Sequence, residues 1–228
     1  AVGLCVTAGN LMDRAYPEQI RWFINRAVRA FERVDSVRQL NAVIADSVPV
    51  TIPETFGAAS AIIGALLLQA ADYRQVNRLC CGQSLDVVLP CWAADVVKAD
   101  IARQDGTLSI GTLPSDAEVR SWFSAANLNV EFINHWQAID ATPPATAWPA
   151  TIQILLGYPG SYVRFDGGEL NLGVVRDSTL NETNDFTAVW FEQFYCVGRR
   201  GPQSRIITIP VCPSGEVAGQ NPSTGEVT

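Results

Sequence analysis

From Ile20 onward apolar residues recur at intervals of three and four: Ile20, Phe23, Ile24, Ala27, Val28, Phe31, Val34, then Val37, Leu40 and Ile44. Arg21, Arg26, Arg29, Arg33 and Arg38 fall mostly between them, and this period predicts an amphipathic helix. Pro17 suits the first helical position and Glu18 the positive end of the helix dipole, so the helix is expected to open there. Unbroken to Ala45, it would be about 44 Å long at ~1.5 Å per residue, a spine longer than an average globular helix. Val48 to Pro53 reads as a short extended connector, because residues before Pro49 and Pro53 avoid helical angles.

Ser60 to Gln75 is apolar on nearly all sides, which predicts a second helix buried against a sheet. Leu85 to Leu89 reads as a core strand ended by Pro90. Trp92 to Arg103 follows as a third, amphipathic helix, with Gly106 just beyond its end. Ser115 is a good N-cap, and Glu118 three residues on completes a capping box for a fourth helix through Val119, Trp122 and Phe123. Asn129 to Ile133 then reads as a strand, and this mixed order predicts an α/β or α+β core and not a bundle.

Three prolines between Ala138 and Ala150 mark an internal boundary. Beyond it the pattern turns to strands: Thr151 to Leu156, Tyr162 to Phe165, Glu169 to Val175, one long run from Thr187 to Val197, and Ile206 to Val211. Gly167-Gly168 is expected to form a hairpin turn between two of these. The tail from Pro213 is small and polar, which predicts mobility. No internal repeat is visible. Ala1 to Val6 reads like the end of a strand, and with no initiating Met a processed or truncated start is expected.

The 228 residues suffice for one large domain or two small ones. Hydrophobic residues reach 48% and charged ones only 17%, so a folded chain with much neutral surface to cover is expected. A net charge of −7 argues against a partner held mainly through phosphates. Lys98 is the only lysine against fifteen arginines. That bias fits intersubunit ion pairs, and equally a GC-rich genome.

Six cysteines (Cys5, Cys80, Cys81, Cys91, Cys196, Cys212) are expected to be reduced, since no signal peptide precedes them and the size needs no staples. One histidine, His135, and no Cys-x-x-Cys pair make zinc improbable. The longest apolar stretch, Ala58 to Ala71, falls short of the ~20 residues of a bilayer helix.

The search for catalytic chemistry returns nothing specific: no Gly-x-Ser-x-Gly elbow, phosphate loop, dinucleotide fingerprint or His-Glu-x-x-His helix occurs. A triad would rest on His135 alone, which reads as a packing or surface residue. Asp95 and Asp100 are five apart on one helix and share no face, while Glu182 and Asp185 lie in a polar loop. Asn181-Glu182-Thr183 matches a glycosylation sequon by chance in a chain without an export signal. Six tryptophans lack the basic groove of a base-stacking platform, and read as core and interface packing.

Three segments resemble the major capsid proteins of tailed phages, particularly of actinobacterial hosts. The first is Ala8-Gly9-Asn10-Leu11 with Arg14-Ala15-Tyr16-Pro17-Glu18. The second is Leu66 to Arg74, then Leu85 to Trp92 and Ala99 to Arg103. The third and most specific runs from Val163 to Asn181, continues to Asn184-Asp185-Phe186, and ends at Val211-Cys212-Pro213-Ser214-Gly215. Together they span about residues 5 to 215.

The resemblance implies an α+β Hong Kong 97-type shell fold with a spine helix, a peripheral-domain sheet and an α/β axial domain. Residues 1–50 and 151–215 would belong to the peripheral domain and 51–150 to the axial domain, with 216–228 a flexible tail. The family's N-terminal arm and extended loop have no counterpart here, which fits the truncated start, and Lys98 is no substitute for a crosslinking lysine on that loop. The implied function is that of a non-enzymatic virion subunit, assembled in the host cytoplasm into hexamers and pentamers around DNA. Its partners would be itself, with scaffold, portal or decoration proteins, and DNA enclosed without sequence-specific binding; no cofactor, metal or membrane is called for. Arg14, Asp177, Arg199 and Arg200, in loops flanking strands, are the candidate assembly residues. The alternatives are an encapsulin-like compartment or an intracellular α/β hydrolase.

Overall fold

A computed structural model of the chain describes residues 2–52, 59–104, 114–134, 136–137, 151–168, 171–175, 179, 182–183 and 185–210. Among these residues the elements are, in order, β1 (Val2–Gly9), α1 (Asn10–Ala15), α2 (Pro17–Asp46), β2 (Val48–Thr51), α3 (Ala59–Val76), β3 (Leu85–Pro90), α4 (Trp92–Gln104), α5 (Asp116–Ala125), β4 (Leu128–Ile133), β5 (Thr151–Gly157), β6 (Tyr162–Asp166), β7 (Asn171–Val175), β8 (Asp185–Gln193), β9 (Tyr195–Arg199) and β10 (Arg205–Pro210). The chain divides into two compact units, Ala1–Val43 with Tyr162–Gly198, and Ile44–Ser161 with Arg199–Thr228.

In the first unit the predicted spine is present as α2, opening at Pro17 as its fixed φ favours. Ile20, Phe31 and Asp35 are buried along one face, with Ile24, Ala27 and Val28 half-buried between them. Ile20 and Phe31 close on Phe186 of β8, and Ala8, Ile24, Val28 and Tyr195 pack around them. The sheet of this unit has the order β1-β8-β7, all antiparallel. Val6 pairs with Val189 but Thr7 with Thr187, and the β7 register shifts at the same place, so Ala188 is an extra residue in β8. Such a bulge sharpens the local twist.

The Gly167-Gly168 hairpin is not formed. Strand β6 pairs with β9, whereas β7 joins β8 in another sheet, so the two glycines carry the chain from one sheet to the other. The Gly167 amide donates to the Phe194 carbonyl at 2.7 Å, which ties this crossing to the end of β8. Phe194 also interrupts the run read as one strand from Thr187 to Val197: β8 ends at Gln193 and β9 starts at Tyr195.

The second unit is built on a five-stranded sheet of order β2-β10-β5-β3-β4. The outer pairs β2-β10 and β3-β4 are parallel and the inner ones antiparallel. Residues Val48 to Thr51, read as a connector, therefore form an edge strand, a position that tolerates Pro49 because an edge amide has no partner to lose. Leu85, Val87 and Leu89 of β3 are buried with Ile152, Ile154 and Leu156 of β5 and Ile207 and Ile209 of β10, as alternation on one sheet face requires. Leu66, Ala70 and Tyr73 of α3, Ala93 and Val97 of α4, and Val119 and Phe123 of α5 complete this core.

Local signals set the helix ends. Ser115 accepts from the Glu118 amide at 3.3 Å, and Glu118 accepts from the Ser115 amide at 2.6 Å, forming the predicted capping box. Asn127, at φ 55, terminates α5 in the left-handed conformation that asparagine tolerates. The proline-rich boundary at 138–150 and the tail from 213 lie outside the described residues.

Candidate assembly surfaces

In the first unit Asp35 is buried in α2 yet carries a carboxylate, which demands a partner. Arg164 of β6 supplies it: Nη1 lies 2.6 Å from Asp35 Oδ2, and Nε lies 2.6 Å from Asp166 Oδ1. Gln39, one turn along α2, donates to the same Asp35 oxygen at 2.8 Å. The guanidinium also stacks 4.3 Å from the centre of the Tyr195 ring, and Tyr195 donates to the Asp35 carbonyl at 3.4 Å. The hydrogen bonds to Asp166 and Asp35 hold the Arg164 pKa above its ordinary value. Burial, followed by the Asp35 charge, raises that of Tyr195. These contacts fix the β6-β9 ribbon to the spine.

The second unit has its own buried arginine. Arg74 of α3 donates to the carbonyls of Gln83 at 2.8 Å and Asn127 at 3.1 Å, closing two loops on one side chain. Arg205 of β10 reaches Asp72 at 2.5 Å and Gln69 at 3.1 Å, tying the sheet to α3.

Both edges of the five-stranded sheet are guarded. Pro49 interrupts the β2 edge, and at the β4 edge Arg120 donates to the Val130 carbonyl at 2.8 Å while lying 3.5 Å from Glu131. Proline and charge at an edge oppose strand addition by another chain. A cleft of about 610 Å³ beside this edge is lined by Ser84, Asp86, Arg120, Ser121, Ser124 and Asn129, among others. Asp86 accepts from Asn129 at 3.0 Å, so its carboxylate is engaged across β3 and β4.

Large apolar side chains remain in solvent in each unit. Leu11 (70% exposed), Tyr16 (58%), Trp22 (53%) and Phe23 (48%) belong to α1, α2 and the joint between them, and Leu68 (74%) to α3. Phe165 and Phe194 stand exposed on the β6-β9 side of the first unit.

Arg14 is exposed at the end of α1 with no ion pair among the described residues. Arg199 pairs with Asp46 at 3.4 Å, and the Arg200 amide donates to the Ser161 carbonyl at 2.7 Å. Asp177 and His135 lie outside the described residues. The Asp35-Arg164 clamp was missed, although Arg164 lies inside the most specific string. Among the described residues no group of His, Cys, Asp and Glu could hold a metal, and no helix is long and apolar enough to cross a membrane. Cys5, Cys80, Cys81, Cys91 and Cys196 are free, exposed thiols.

No protein-family profile and no curated protein sequence matches this chain. Solved structures do. The mature capsid of bacteriophage PhiM1 is 14% identical with a TM-score of 0.57, over 92% of this chain and 70% of that one. The capsid of cyanophage P-SCSP1u gives 10% identity and a TM-score of 0.58, over 92% and 71%. A virus-like particle from Pyrococcus furiosus gives 10% and 0.51, over 91% and 75%. The chain has the α+β shell fold of tailed-phage major capsid proteins.

Proposed function

We propose that this chain is a structural subunit of an icosahedral phage capsid, acting by self-association into hexamers and pentamers that enclose DNA. The observation that carries this reading is the shell fold over more than nine tenths of the chain, found in two phage capsids. The exposed Leu11, Phe165 and Phe194 and the guarded sheet edges support it, since both suit a subunit that joins its neighbours by side-chain packing and avoids open-ended strand pairing. Individually weak contacts then suffice, because closure of a shell multiplies them.

In this reading residues 1–50 and 151–215 form the peripheral domain and residues 51–150 the axial domain. Arg14, Asp177, Arg199 and Arg200 serve contacts between subunits. The product resides in the virion after assembly in the host cytoplasm, with scaffold, portal or decoration proteins as further partners. An actinobacterial host rests on the resemblance of the Val163 to Asn181 string alone. A compartment that holds protein cargo is the second reading, favoured by the likeness to the Pyrococcus furiosus particle. Nuclease treatment of purified particles separates the two: protected DNA supports the capsid, and protein cargo without DNA supports the compartment.

A further inference from the structure

The face of α2 opposite its buried stripe carries a pattern that packing does not explain. At about 100° per residue, Trp22, Arg26, Arg29 and Arg33 fall within roughly 60° of one another and point away from the side that buries Ile20, Phe31 and Asp35. All four are exposed. None of the three arginines forms an ion pair with any described residue, although the chain holds more acidic than basic side chains. The nearest acids along the helix are Glu18, on the same face one turn before Trp22, and Glu32, about 60° round the flank from Arg29 and about 100–120° from Arg33 and Arg26. The Arg26 guanidinium lies 4.7 Å from the centre of the Trp22 ring, which holds that side chain extended along the face.

We propose that this ladder is a binding surface for the phosphate backbone of duplex nucleic acid, making non-specific contacts through Arg26, Arg29 and Arg33. This deepens the shell reading by giving the enclosed DNA a place to touch the subunit. The ladder spans about 10 Å along the helix, and a duplex presents one charge per ~1.7 Å of its axis, so three guanidiniums meet phosphates without any fit to sequence. Arginine's planar fork suits phosphate oxygens. Charge complementarity selects this occupant: three guanidiniums without an ion pair among the described residues stand along one line, and a duplex offers them an unbroken row of phosphates. The net charge is no obstacle, since contact ions and not the molecular total set phosphate affinity at short range.

The test is anisotropy of a labelled mixed-sequence duplex titrated with the whole chain at several salt concentrations. Three phosphate contacts predict a slope of log K against log salt of about −2.7, which weakens binding about 40-fold between 50 and 200 mM. Arg29→Gln should bring the slope up by about 0.9, and the triple variant R26Q/R29Q/R33Q should lose measurable binding while its circular dichroism stays unchanged. Three results overturn the proposal: wild-type chain that does not bind at about 20 mM salt, triple variant that binds like wild type, or triple variant that loses self-association in sedimentation but keeps DNA binding, which assigns the face to a second copy. Electron micrographs of shells are read separately. Shells from a chain that fails this titration refute the ladder alone, and a chain that binds DNA without forming shells refutes the shell reading.

Discussion

Asp35 and Arg164, 129 residues apart in the chain, meet at 2.6 Å and join the spine helix to the β6-β9 ribbon. Removing one member leaves the other charge without its partner in a largely buried place. Breaking such a pair costs about 3–5 kcal/mol, and the lower end applies because the Arg164 side chain is 25% exposed. Arg164→Leu should therefore lower stability by about 3 kcal/mol in urea unfolding. Adding Asp35→Leu should cost less than the sum of the two single changes, and strict additivity would refute the pairing.

The capping box of α5 predicts a pH dependence. Hydrogen bonds from Ser115 hold the Glu118 pKa below its ordinary 4.5. A lowered folded-state pKa contributes stability that is present above 4.5 and is lost as pH falls through the folded value. Glu118→Gln should flatten the acid limb of the stability profile by that contribution. Ser115→Ala should cost about 1 kcal/mol at neutral pH, and an unchanged midpoint would remove the cap from the account.

Gly201 lies against Ser161. A Cβ at Gly201 would sit 2.8 Å from Ser161 Oγ and 3.0 Å from its Cα, and backbone does not swing aside. The Gly201 and Arg200 amides both donate to the Ser161 carbonyl, so the two segments cannot part without losing these bonds. Gly201→Ala should destabilise by about 1–3 kcal/mol. Gly198→Ala meets only the end of the half-exposed Phe165 ring, at 2.9 Å, and should cost less. Equal losses at the two sites would contradict this packing.

Lys98 of α4 is engaged by Asp116 and Asp95. The Asp116 hydrogen bond comes first among the causes that raise its pKa, which keeps it protonated and a poor nucleophile. Denaturing electrophoresis of assembled particles should show a single band for this chain. A ladder of multiples abolished by Lys98→Arg would refute that.

What was legible in the sequence was local. Pro17 with a three-and-four period gives α2 to within a residue or two, and Ser115 with Glu118 gives the start of α5, because the physical cause lies inside a few residues. Strand pairing is not local. Nothing near Gly167-Gly168 says that β6 will pair with β9, and Phe194, as suited to a strand as Phe191 or Tyr195, does not mark a break in the run from Thr187 to Val197. Val48 to Thr51 becomes a strand only because β10, over 150 residues later, offers it an edge. The Asp35-Arg164 clamp was hidden for the same reason: the two residues share no segment, and the helical period alone places Asp35 on the buried face without naming its partner.

Electron microscopy of the product of the whole reading frame, purified after expression, tests the central claim most directly. The account predicts closed shells of ordered hexamers and pentamers whose reconstruction places α2 and the β1-β8-β7 sheet in every subunit. A dispersed monomer under the same conditions would contradict it.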